Sequence, residues 1–229
     1  MSMKHYLFLL FTLVTLSSTF GQQGISIEIG PTFDRLSGLY SGSGKNHRNI
    51  GIGHSISLTA DFFRKNRFSL STGIGWVEKN IKYKNAISPS SIFQQETYRF
   101  IQVPVSMGVK IYDHKLSVDL HGGIVTNYWL NTLIEGFHPN IFDIETGNGP
   151  ATFMNTNFKT KQYPGESNNR LQFGSFLGIS AYHPLSTSLN LLVNNRYYSF
   201  FTPIEKKNSI SGHHRFNDFS CTIGFSKTF

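Results

Sequence analysis

The chain has 229 residues and a formal net charge of +8; 14% of its residues are aromatic and only 15% are charged. Soluble globular domains carry about 25% charged residues and disordered chains few aromatics, so 21 Phe and 10 Tyr exclude disorder and fit a soluble domain poorly. The single Cys221 excludes an internal disulfide framework and a Cys-rich zinc site.

Residues 1–21 read as an export signal. Lys4 and His5 make a positive start, Tyr6 to Leu16 (YLFLLFTLVTL) is an apolar core too short to cross a bilayer, and Ser17 to Gly21 is small and mostly polar. Cleavage after Gly21 leaves residues 22–229 as one domain. No later run approaches the ~18 apolar residues of a spanning helix.

From there the period is two, the mark of strands with unlike faces. Eight strands are expected. Gly24–Phe33 alternates Ile25, Ile27 and Ile29 with Ser26, Glu28 and Gly30. Ile50–Phe62 sets Ile52, Ile56 and Leu58 against Gly53, Ser57 and Thr59, and Arg67–Lys79 sets Phe68, Leu70, Ile74 and Trp76 against Ser69, Ser71, Gly73 and Gly75. In Arg99–Ile111, Ile101, Val103, Val105, Met107 and Val109 oppose Gln102, Pro104, Ser106, Gly108 and Lys110. Lys115–Tyr128, Arg170–Tyr182, Thr187–Ser199 and Asn217–Phe229 repeat the pattern.

The connections alternate. Phe63–Asn66, Tyr112–His114 and His183–Ser186 are tight turns, whereas Asp34–Asn49, Asn80–Tyr98, Trp129–Asn169 and Phe200–Phe216 are long. All long loops therefore fall at one end, as in outer-membrane barrels with short periplasmic turns and longer extracellular loops. Face chemistry separates this from a soluble barrel with an apolar interior. Eight strands enclose a bore just wide enough for side chains, which Gly, Ser, Thr and Asn suit and eight rows of Ile, Leu and Phe would overfill. The bulky face is expected toward lipid. The fold class is thus an all-β, eight-stranded antiparallel up-and-down transmembrane barrel in the outer membrane of a Gram-negative bacterium. Tyr98, Tyr112, Tyr128, Trp129, Tyr182, Tyr197 and Tyr198, near strand ends, are expected in its interfacial girdles.

Two segments carry a more specific likeness. Phe219, Cys221, Ile223, Phe225 and the terminal Phe229 alternate in the last strand. They resemble the C-terminal signature of outer-membrane barrels, which implies the barrel-assembly machinery as a partner during biogenesis. Arg99 to Lys110, with Pro104 inside an alternating strand, resembles the fourth strand of the PorT-like outer-membrane β-barrel family of Bacteroidota. That resemblance implies location and fold, and for some members a link to protein secretion. It implies no activity.

Inward charges form the candidate site: Glu28, Lys79, Lys110, Asp119 and Arg196, with His121 beside Asp119. Unpaired charges are costly in a confined bore, so a plug is expected in which Glu28 and Asp119 neutralise Arg196 and a Lys. The primary reading is a non-enzymatic barrel with a structural or interaction role in an envelope or secretion assembly. One alternative is a narrow, loop-gated pore for ions or small solutes. Another is a lipid-modifying enzyme using Asp119 and His121 with Ser117 or Ser106, a spacing common by chance and backed by no local motif. No catalytic residue is assigned and no cofactor is expected. His213-His214 lacks a third ligand of metal-site spacing.

The basic residues are scattered, which argues against nucleic acid. Lys45, Arg48, Lys82, Lys84, Lys206, Lys207 and Arg215 fall on the long-loop side, where their sign suits the phosphates of lipopolysaccharide. The aromatic-rich connection 129–169 is read as a loop folding over the mouth or contacting a partner.

Overall fold

A computed structural model describes residues 24–37, 46–85, 93–145, 152–165, 168–204 and 214–229. The expected signal segment and the loop cations Lys45, Lys206 and Lys207 lie outside them. Every regular element among the described residues is a strand: β1 (Gly24–Ser37), β2 (Asn46–Asn49), β3 (Gly51–Lys65), β4 (Phe68–Asn85), β5 (Phe93–Asp113), β6 (Ser117–Glu145), β7 (Thr152–Gln162), β8 (Leu171–Pro184), β9 (Leu189–Phe200) and β10 (Arg215–Thr228).

Antiparallel pairing runs β1, β3, β4, β5, β6, β8, β9, β10 and returns to β1. The seam zips from Gly24 opposite Thr228 to Ser37 opposite Arg215. Ten strands make eight staves. β2 extends the line of β3 and pairs with β4. β7 extends the line of β8 along β6, with Thr132 opposite Gln162 and Tyr128 opposite Leu171. Closure pairs the edge strands, which hydrocarbon requires because it offers no other hydrogen-bond partners.

The turn between β3 and β4 uses Asn66 at φ 55°, a left-handed conformation that Asn tolerates and that tight hairpins need.

The connections differ from expectation at the other end. Segment 129–169 is largely sheet: β6 continues through Glu145 and β7 returns beside it. A bulge at Leu130, between the pairs Phe100–Trp129 and Arg99–Asn131, lets the ladder carry on upward. Likewise β4 and β5 run on to Asn85 and from Phe93, well beyond Lys79 and Arg99. Spanning takes about 9–11 residues per strand, so β4 to β7 project past the rim as a tall wall.

The two faces divide as the alternation predicts. Ile124 and Leu177 are 66% and 69% exposed on the outside, whereas Glu28, Asn127 and Gln172 are at most 1% exposed inside. Along β1 the outward row Ile25, Ile27, Ile29, Pro31, Phe33 reaches Arg35, and nine residues from Ile25 to Phe33 suit a spanning strand. Phe219, Ile223, Phe225 and Phe229 of the expected assembly signal all face outward.

Two expectations about aromatics need correcting. Of the seven expected girdle residues, only Tyr112, Tyr128 and Tyr197 are exposed. Tyr98, Trp129 and Tyr198 are buried in the bore, and the Tyr182 ring turns toward the bore residue Arg64. Parity is the cause: Tyr98 shares a face with Gln102, Tyr198 with Asn194, and Tyr182 with Ser180. The bore is therefore not polar throughout. Its long-loop half is filled by Leu36, Ile81, Tyr98, Phe100, Trp129, Phe176, Tyr198, Phe200 and Phe216.

Candidate functional site in the barrel interior

The interior is layered along the axis. At the turn end, glycine and serine on the inward faces of β3, β4 and β5 leave room for long charged side chains from β1, β6 and β9. Glu28, on β1, is the hub. It accepts from Arg196 Nη2 at 2.9 Å, Asn194 Nδ2 at 2.8 Å and Thr222 Oγ1 at 2.7 Å, so its buried charge is matched by one guanidinium and two further donors.

Arg196 also points Nε at His121 Nε2, 3.4 Å away. A guanidinium can only donate, so Nε2 must accept and the ring proton sits on Nδ1, 3.3 Å from Ser180 Oγ. The structure thus gathers Glu28, Arg196 and His121 into one network.

The other three expected members take no hydrogen bond in that network, although Asp119 borders the same small cavity as Glu28, His121 and Arg196. Asp119 faces Arg64 Nη2 at 3.6 Å, and Arg64 also reaches Asp61 at 3.1 Å. Its partner is therefore an arginine of the expected turn Phe63–Asn66, not a lysine. A bulge between Asp61 and Phe63 carries β3 on through Lys65 and seats Arg64 opposite the inward Ser69. Simple alternation from Asp61 would have turned Arg64 outward. Lys110 bonds Asp113 at 3.2 Å beside the β5–β6 turn and takes no part in the bore network.

Lys79 lies higher, fully buried within the aromatic layer. Its ammonium pairs with Asp218 and sits 4.1, 4.6 and 5.4 Å from the ring centroids of Phe200, Phe216 and Phe100. Ring faces carry negative charge and attract a desolvated ammonium. Asp34, opposite Asp218 in register, takes hydrogen bonds from Asn80 N at 2.9 Å and Thr32 Oγ1 at 3.2 Å. The sequence reading missed Asp34, Arg64 and Asp218. For the two aspartates the signal was present, since each shares a face with a polar inward residue, Thr32 or Ser220.

Above and around Lys79 the rings interlock. Tyr98 and Phe100 meet Phe216 edge-on at 5.3 and 5.8 Å, and Tyr98 lies 5.5 Å from Trp129. Trp129 Nε1 donates to Thr132 Oγ1 at 3.1 Å. Two small cavities flank the level of Arg196. One, of about 20 Å³, is bounded by Thr32, Gln102 and Asp218; the other, of about 30 Å³, by Glu28, Asp61, Asp119 and Tyr182. Each has room for about one or two waters. Thr59 Oγ1, Asp119 Oδ1 and Asn194 Oδ1 border the second cavity without a protein partner among the described residues, as suits atoms served by water.

The residues weighed as a catalytic set are engaged otherwise. Ser117 donates to Asp113 at 2.8 Å, Ser106 shares a 2.5 Å hydrogen bond with Ser71, Asp119 faces Arg64, and His121 Nε2 is held by Arg196. A nucleophile needs a base whose lone pair is free to take its proton.

A closed antiparallel barrel of eight staves, apolar outside and polar at its inner turn end, has the architecture of a membrane-spanning β-barrel. Solved structures with a similar course include Neisserial surface protein A (13% identity, TM-score 0.44, covering 90% of this chain and 97% of that one). A major outer membrane protein from Thermus thermophilus is similar at 13% identity and TM-score 0.44, covering 90% and 99% of the two chains. The outer membrane protein OprG from Pseudomonas aeruginosa is similar at 10% identity and TM-score 0.41, covering 92% and 97%. At these values the likenesses bear on no activity or partner. No family model matches the chain, and no curated protein is similar to it in sequence.

Proposed function

We propose that the chain is an integral outer-membrane barrel that neither conducts nor catalyses and serves as a structural or interaction protein of the envelope. The observation that carries this reading is the filled bore. Buried rings from β5, β6, β8, β9 and β10 meet across the long-loop half, with Ile81 of β4, around the Lys79–Asp218 pair, and the two cavities below them among the described residues are water-sized. Conduction requires a continuous wet path. The location is supported by the apolar outer face and by strand closure. An interaction role is supported by the wall of β4 to β7, which rises past the spanning length and presents β-structure to whatever lies beyond the rim. The resemblance of Arg99 to Lys110 to the PorT-like family is consistent with a place in a secretion or envelope assembly.

Reconstitution of the barrel in planar bilayers tests the reading. Silence across ±100 mV is expected, and a steady unitary current would overturn it in favour of a pore. Lipid A mass spectra of cells with and without the chain are expected to be identical; a change in acylation or head groups would make it an enzyme.

A further inference from the structure

The outside of the β1–β10 seam carries a cationic feature that the bore does not explain. Four strands contribute to one straight apolar row across the wall: Ile52 on β3, Phe33 on β1, Phe219 on β10 and Tyr197 on β9, each opposite the next in register. All four are exposed, and the Phe33 and Phe219 rings lie 6.1 Å apart. Above this row, toward the long-loop end, the same outer face carries Arg35 on β1 and Arg215 on β10.

Arg35 is opposite Asn217, and Arg215 is opposite Ser37. The two arginines are thus diagonal neighbours, and diagonal positions in a sheet are about 7–8 Å apart. Both are exposed. Between them Asn217 Nδ2 donates to Ser37 Oγ, and Ser37 Oγ donates to the Arg215 carbonyl, both at 3.1 Å. Among the described residues the neighbouring carboxylates, Asp34 and Asp218, do not serve as counter-ions. Asp34 and Asp218 are buried in the bore, bound to Thr32 and Asn80 and to Lys79. Among the described residues neither Arg35 nor Arg215 enters an ion pair.

Two like charges side by side repel, and a phosphate between them replaces that repulsion with charge-assisted hydrogen bonds to two planar donors. The apolar row decides which phosphate. A free anion needs only the guanidinium groups, whereas the row of Ile52, Phe33, Phe219 and Tyr197 lies two residues, about 7 Å, below Arg35 and four residues, about 14 Å, below Arg215, where acyl chains would begin. We propose that Arg35 and Arg215 form a binding site for the phosphate of a membrane lipid, whose acyl chains lie against that row. The assignment rests on the membrane reading above.

The test uses the folded barrel in detergent, with its heat-modifiable gel shift as the check on folding and its insertion into vesicles as the check on the membrane reading. Native mass spectrometry then follows the retention of diphosphorylated lipid A, its dephosphorylated counterpart and inorganic phosphate. Wild-type barrel should retain the phosphorylated lipid preferentially, and inorganic phosphate should not displace it. At about 1 kcal/mol per surface cation, Arg35→Gln with Arg215→Gln should weaken retention roughly 30-fold. Arg35→Lys, which keeps the charge but loses the fork, should weaken it less. Lys159→Gln, remote on β7, should leave it unchanged. Equal retention by the folded double variant, or equal retention of the dephosphorylated lipid, would overturn the proposal. Displacement by inorganic phosphate would overturn it too, in favour of a small-anion site. A barrel that fails to insert would instead refute the membrane reading.

Discussion

Substitution of Lys79 by Met probes the filled bore most directly. The side chains have similar length, so packing against Phe100, Phe200 and Phe216 is kept while the charge is lost. Asp218, 3% exposed and paired with Lys79, is then left without its cation, and Asp34 stands directly across the ladder from it. Removing one member of a buried ion pair costs about 3–5 kcal/mol, because the remaining charge stays desolvated. The ring contacts to the desolvated ammonium contribute about 2 kcal/mol or more of this. The companion variant Lys79→Met/Asp218→Asn removes both charges and should recover about half the loss. Urea unfolding in detergent micelles measures it, with Trp129, which lies in the same aromatic layer, as the fluorescent reporter. A double-mutant cycle through Asp218→Asn should give a coupling energy of at least about 2 kcal/mol. A Lys79→Met barrel within about 1 kcal/mol of wild type, or a coupling near zero, would refute the claim that the pair is desolvated and mutually dependent.

Other residues offer smaller tests. Arg64→Gln leaves Asp61 and Asp119 without a cation, but the cavity below is within reach of water, so the loss should be about 1–3 kcal/mol by the same unfolding assay, less than at Lys79. At Gly53 an added Cβ would lie 1.9 Å from the Glu78 carbonyl oxygen and 2.7 Å from Asp34 Oδ2, so Gly53→Val should sharply lower the yield of heat-modifiable folded barrel; normal yield would show that the wall yields there. In the β5–β6 turn, the hydrogen bond from Ser117, then Lys110, holds the Asp113 carboxyl below its ordinary 3.8. A depressed folded value means that this group's small contribution is present above pH 3.8 and fades as the pH falls through the lower value. Ser117→Ala should move the Asp113 titration, followed by carboxyl NMR, back toward 3.8. An unmoved titration would assign the shift to Lys110 instead.

Much of this architecture was legible in the chain itself, because a strand's side chains alternate and each face meets a different medium. Ile25, Ile27 and Ile29 against Ser26 and Glu28 are enough to say which side meets apolar surroundings, and the short–long rhythm is enough to order the staves. The same parity places Tyr98 and Tyr198 inside, although their chemistry alone suggests an interfacial girdle. What alternation could not carry was partnership. Lys79 and Asp218 are 139 residues apart, and Glu28 and Arg196 are 168. They meet only because the wall closes on itself, which sets β10 against β1 and turns every inward row toward a common axis. Arg64 faces inward because one extra residue bulges from β3, a shift that no periodic reading registers. Composition and period therefore determined the wall and its two surfaces, whereas closure and register decided which charges neutralise one another and that rings, rather than water, fill the upper bore.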